Sequence, residues 1–232
     1  MGIQQPPVQA SEGNAFADVL KVLYEPGAVF ERVRTRPSFF APFIAIVAVQ
    51  CVLFFVNLPL LKIALQPQMT AAGRPMPGTA LLAVFGLGFL LIFMTLLLLL
   101  AGLVLWVGAS ILGGGEAKYS TLLSVALYSA VPAVILLSII GSIVVHLQGT
   151  GQITSPQDLQ PALGLDLLAS GAKGFTGALL RGINPFSIWS LVLTAIGVST
   201  TQRMAKGSAY MIATIQFVVL LIIGAGLAAL NR

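Results

Sequence analysis

One histidine, one cysteine and 7 acidic side chains are what this chain of 232 residues offers for proton transfer, nucleophilic attack or metal ligation. His146 has neither an acidic partner nor a second metal-type ligand near it in the sequence, so a structural or interfacial histidine is expected rather than a switch or a ligand. Serines are numerous, among them Ser110, Ser120, Ser124, Ser138, Ser142, Ser187 and Ser190. A serine hydrolase, however, needs a base held against its nucleophile, and the strained G-x-S-x-G elbow is missing. These serines read instead as small residues that let helices approach, as do Ala41, Ala45 and Ala48. Gly113-Gly114-Gly115 lacks the Lys-Ser/Thr continuation of a phosphate loop and reads as a helix stop and turn. Cys51 stands alone, so no intramolecular disulfide can form. The expectation is a non-enzymatic protein with no catalytic residue, no metal site and no cofactor.

The solvent around these side chains follows from composition. Hydrophobic residues make up 57% of the chain and charged residues 8%, where a soluble domain carries roughly 25% charged. Too few charges are present to cover a water-facing shell, so the chain is expected in lipid. A charge at the bilayer centre costs about 3 kcal/mol, and a span needs about 20 apolar residues. The gaps between charges then mark five spans, at residues 39–61, 80–110, 120–147, 184–202 and 208–230. The fold class is all-α: a polytopic membrane protein with a five-transmembrane-helix bundle over 39–231, preceded by a tail over 1–38. Thr79 to Leu112 contains no proline, Asn or charge and reads as one long tilted helix, with Gly86 and Gly88 as places to bend.

Polar residues inside spans must turn toward other helices. Gln50, Asn57 and Gln216 are expected to make interhelical hydrogen bonds worth about 0.6 kcal/mol each. In the third span Pro132 withdraws a backbone donor and should bend the helix, with Ser129 or a neighbouring helix compensating the freed carbonyl and the Tyr128 hydroxyl seeking a partner in the bundle. A static packing kink is the plain reading. A lipid-accessible groove near Asn57, Tyr128, Ser129, Pro132 and Gln216 is the sharper one.

Outside the spans, residues 1–13 are polar and aperiodic. From Asn14, an N-cap, Phe16, Val19, Leu20 and Leu23 recur at helical spacing with Asp18, Lys21 and Glu25 largely elsewhere on the wheel, predicting a short amphipathic helix that lies in the headgroup layer or, equally, packs under the bundle. Pro26-Gly27 breaks it. A further turn or two carries Val29, Phe30 and Val33, and Arg32, Arg34 and Arg36 crowd before the first span as candidate lipid or partner contacts, with topology alone as the simpler reading. With the N-terminus inside, seven basic residues fall on the cytoplasmic side and five outside, predicting N-terminus in and C-terminus out. A net charge of +5 divided between two membrane faces makes no basic stripe and does not suggest nucleic acid. The segment 148–183 is too long to be featureless. Ser155-Pro156 with Asp158 starts a helix there, and one or two short surface helices are expected rather than a re-entrant hairpin, which would bring Asp166, Lys173 and Arg181 into lipid.

Three stretches together resemble the Yip1 domain family, specifically its short prokaryotic members: VLYEPGAVFERVRTRPSFFAPF, ILGGGEAKYSTLLSVALYSAVPAVI and INPFSIWSLVLTAIGVSTTQRMAKGSAYMIATI. The Pro-Gly-x-x-Phe element falls on Pro26, Gly27 and Phe30, and the Gly-rich turn with Tyr-Ser-x-x-Pro on Gly113 to Gly115, Tyr119, Tyr128, Ser129 and Pro132. The resemblance implies a five-helix integral membrane protein with a cytoplasmic N-terminus, here in a bacterial inner membrane. Eukaryotic relatives are associated with membrane traffic and bind partners including small GTPases. Their longer cytoplasmic domain is missing from this chain, whose tail ends at Ser38, so GTPase binding is not carried over. The leading expectation is a protein that organises membrane or partner proteins, with lipids and other membrane proteins or itself as partners. The alternative is a transport or lipid-translocation component with a groove between helices.

Overall fold

A computed structural model describes residues 14–113, 116–169 and 171–230, and among them every regular element is helical. The tail 1–13, Gly114, Gly115, Ser170, Asn231 and Arg232 lie outside the described residues. Two short helices, α1 (Ala15–Lys21) and α2 (Pro26–Thr35), precede the long α3 (Phe40–Ala71) and α4 (Thr79–Leu112). α5 (Tyr119–Ser129) continues through a π-helical stretch, Val131–Leu136, into α6 (Leu137–Gln148). Three 3-10 turns and α7 (Gly174–Gly182) then lead to α8 (Pro185–Gln202) and α9 (Lys206–Leu230).

Burial sorts these helices by pattern. Thr121 to Ser129 of α5 are buried without interruption, so apolar and small residues occupy its whole circumference, as a central helix requires. α4 buries only Met94, Leu98, Ala101, Gly102, Leu105 and Ala109, a single stripe at spacings of three and four. Its other faces expose Phe85, Phe89, Ile92 and Leu96, as lipid contact demands. α5 lies against this stripe closely enough that a Cβ on Gly102 would stand 3.0 Å from Leu123 Cδ1. α4 is unbroken over its 34 residues. The turn into α5 is tied by Trp106 Nε1 donating to the Ala117 carbonyl and the Tyr119 hydroxyl to the Leu99 carbonyl.

Four stretches are long and apolar enough to cross a membrane alone: α3, α4, Val131–Gln148 and α9. A fifth crossing arises when α7 and α8 are taken together across a 59° bend. α3 extends past the expected limit at Leu61 to Ala71 although Pro59 and Pro67 each withdraw a donor. Leu60 and Ala64 pack with Val145 and Ile153 there, and Lys62 Nζ donates to Thr79 Oγ1, which anchors the extension. The segment after α6 folds over this end of the bundle. The helix start expected at Ser155-Pro156 is a 3-10 turn, Pro156–Leu159, with a capping box in which Asp158 Oδ2 accepts from the backbone and hydroxyl of both Thr154 and Ser155. Burial pushes the Asp158 carboxyl up, and those four donations outweigh it and hold the group below its ordinary value.

α7 is the element that surface placement does not describe. It packs on α9, and a Cβ on Gly182 would overlap Leu221. Two of the three charges that argued against inward placement pair with each other: Arg181 Nε donates to buried Asp166 at 3.1 Å, and the other Asp166 oxygen accepts from the Gly164 amide, while Lys173 is exposed.

Candidate functional site

The arginines expected to form one headgroup cluster have three different environments. Arg32 Nε and Nη2 donate to Asp18 Oδ2 and Oδ1 at 3.0 and 2.6 Å, a bidentate pair whose carboxylate is buried. Hydrogen bonding to Asp18 holds the Arg32 guanidinium above its ordinary pKa, against the opposing effect of burial. Arg34 pairs with Glu31 one turn back, and Arg36 is exposed. Arg32 is thus a clasp between α1 and α2, not a free lipid contact.

The clasp also sets the rotation of α1. Asn14 caps it, accepting from the Phe16 amide, as its type predicts. The buried face is nevertheless Asp18, Val19 and Val22, while Phe16 and Leu20 are exposed. Amphipathicity on the wheel misassigned Asp18 because its charge is neutralised from outside the helix. The Tyr128 hydroxyl donates to the Ala15 carbonyl at 3.1 Å and fixes the same rotation. α2 buries Val29, Phe30 and Val33 against α5 and α8, and Gly197 of α8 admits the Phe30 ring: a Cβ there would stand 3.0 Å from it and 2.6 Å from Val125 Cγ1.

At Pro132 the break is a π-helical stretch, with the Leu137 amide donating to the Pro132 carbonyl. Neighbouring helices satisfy the altered backbone: the Ala133 amide donates to Ser190 Oγ of α8, and Gln50 of α3 donates to the Val134 carbonyl and Ser138 Oγ. Ser129 does not take part. Its buried hydroxyl has no hydrogen-bond partner among the described residues. Asn57 Nδ2 donates to the Leu53 carbonyl and its Oδ1 accepts from Ser142 Oγ at 3.0 Å, joining α3 to α6. His146 Nδ1 lies 2.8 Å from the Ser142 carbonyl, an acceptor, so Nδ1 carries the proton. The Ser142 hydroxyl is committed to Asn57, leaving no Ser–His dyad at this pair.

A cavity of about 1060 Å³ lies between α3, α4, α5, α6, α8 and α9, with Leu159 to Leu163 and α7 over one end. That is at the upper end of the range for small-molecule sites, roughly 300–1,000 Å³. Of the residues expected to border a groove, Asn57, Ser129 and Gln216 line it, whereas Tyr128 and Pro132 do not. Gln216 is buried, yet among the described residues no group hydrogen-bonds its amide, contrary to the expected interhelical bond. Arg181 is the single charged residue on the described wall. The cavity reaches the bundle exterior at Phe89, which is 72% exposed and stacks on Phe93 with ring centroids 5.9 Å apart.

The Yip1 domain profile matches residues 20–228, nearly the whole helical assembly described above. The chain belongs to the Yip1 family. Membrane protein YknW of Bacillus subtilis (strain 168) is similar to it, 29% identical over 209 residues that span 87% of this chain and 85% of that one. No solved structure matches. The protein is therefore a membrane protein of the Yip1 family.

Sequence reasoning missed three parts of this Yip1-family site. The Asp18–Arg32 clasp was signalled by a lone acid on an otherwise apolar turn and an arginine across the Pro-Gly break. The Asp166–Arg181 pair joins the 3-10 turn Leu165–Leu168 to α7 and had no periodic signal. The polar end of α8 was readable, since Asn184-Pro-Phe-Ser187 has capping-box spacing, and the structure shows both reciprocal bonds.

Proposed function

We propose that this Yip1-family membrane protein holds a membrane amphiphile in the cavity between its helices and acts in lipid handling or transport without a chemical step. The cavity carries the reading. The cavity opens to the bundle exterior at Phe89, so in a bilayer a lipid chain can enter it and supply the contacts its apolar wall lacks. The wall suits such a guest: aromatic and aliphatic side chains dominate, and Gln50, Asn57 and Ser138 are committed to protein partners. We place the protein in a bacterial inner membrane with α1 and α2 on the cytoplasmic side, supported by the basic residues before α3. A second reading, organisation of partner proteins or the membrane surface, is supported by Phe16, Leu20 and Tyr24, all more than half exposed on the N-terminal helices.

The test exploits Gly224, which lines the cavity and has nothing within 4 Å of a Cβ position. Gly224→Trp should obstruct the cavity while preserving the fold. Purified wild-type protein should retain a stoichiometric lipid through detergent washing, and Gly224→Trp should lose it. Equal retention by both, or retention by neither, contradicts the proposal.

A further inference from the structure

Ser129 and Gln216 are buried polar residues on the cavity wall whose side chains have no hydrogen-bond partner among the described residues. The Ser129 hydroxyl is fully buried and unpartnered in a residue 1% exposed, and Gln216 is 8% exposed. Both side chains belong to the wall of the same largely apolar cavity between the helices. Water cannot be drawn there without cost, and an unpaired polar group in such surroundings is itself unfavourable.

From this pair we propose that the cavity takes an uncharged lipid alcohol, of the diacylglycerol kind, with its hydroxyl at Ser129 and Gln216 and its chains directed toward Phe89 and Phe93. This rests on the cavity reading above and adds the class of guest. A hydroxyl both donates and accepts, which matches a serine hydroxyl and a primary amide together. A phosphate head fits poorly. Arg181 is the single charged residue on the described wall, and it is already engaged by Asp166 and by Gln160, to which its Nη1 donates. An ionised head in an apolar cavity without a free counter-charge is strongly disfavoured.

The experiment uses the full chain reconstituted in nanodiscs of neutral lipid. It is photolabelled with a diazirine-bearing diacylglycerol and, separately, with a phosphatidylglycerol carrying the same chain. Diacylglycerol should label the cavity helices, and Ser129→Ala and the near-isosteric Gln216→Met should each lower that labelling about tenfold. Labelling by phosphatidylglycerol should be weak and indifferent to both variants. Circular dichroism melts identical to wild type establish that the variants fold, and the two substitutions serve as independent checks. Stronger phosphatidylglycerol labelling, or diacylglycerol labelling unaffected by both variants, overturns the lipid class while the cavity remains a lipid site. The latter result would leave Ser129 and Gln216 as a water-binding pair. Cavity labelling by neither probe overturns the class and the underlying reading together.

Discussion

Replacing Arg32 by alanine should release α1 from the bundle, whereas replacing Arg34 or Arg36 should not. Asp18 is 5% exposed and accepts both hydrogen bonds of the pair from Arg32, so Arg32→Ala strands a buried carboxylate. Breaking a fully buried pair costs about 3–5 kcal/mol. The Arg32 side chain is 32% exposed, and solvent can partly replace it; a loss of about 2 kcal/mol is therefore expected. That corresponds to a roughly thirtyfold increase in opening of α1. Hydrogen exchange at the α1 amides Val19, Leu20 and Lys21, measured in nanodiscs, reads this opening directly. Arg34→Ala removes only an exposed pair to Glu31 and should change exchange by less than about twofold. Asp18→Asn with Arg32→Ala should recover part of the protection, because the uncompensated charge is gone. Equal effects of the three arginine variants, or unchanged α1 exchange in Arg32→Ala, would refute the clasp and restore a common headgroup role.

Three further outcomes follow from the packing and the charges. Gly197→Ala places a methyl 2.6 Å from Val125 Cγ1 and should lower the detergent melting temperature by an amount equivalent to about 1–3 kcal/mol, while Gly224→Ala, with open space around it, should not destabilise the protein. Because the folded Asp158 carboxyl lies below its unfolded value, its contribution to stability is complete above about pH 4 and is lost as pH falls through the folded value. Exchange at the Thr154 and Ser155 amides, corrected for intrinsic pH dependence, should rise on acidification, and Asp158→Asn should abolish that dependence. A double-mutant cycle on Asn57→Leu and Ser142→Ala should give a coupling near 0.6 kcal/mol in thermal melts; no coupling would show that the 3.0 Å bond between them does not contribute.

The spans were legible because lipid imposes one rule on sequence, and the charge gaps around α4 and α9 follow it closely. α3 past Lys62 was hidden because its support comes from Val145 and Ile153, distant in the chain. Polar residues could be assigned to the interior, but not to partners. Gln50 and Asn57 found theirs, Gln216 did not, and nothing in their local sequences separates them. The cavity was anticipated only as a groove near these residues, since its wall is assembled from seven helices, α3 to α9, and the segment Leu159 to Leu163. Asp18 shows the limit of wheel analysis: a carboxylate belongs on a buried face whenever a cation from another helix reaches it.

The central claim is that the space between α3, α4, α5, α6, α8 and α9 receives a lipid. Electron microscopy of the full chain in nanodiscs of native membrane lipid, with a rigid antibody fragment as a fiducial, tests it most directly. Continuous elongated density beside Phe89, Phe93 and Gln216 is the expected result. Helices α3 and α4 drawn together over a closed, empty wall would contradict it.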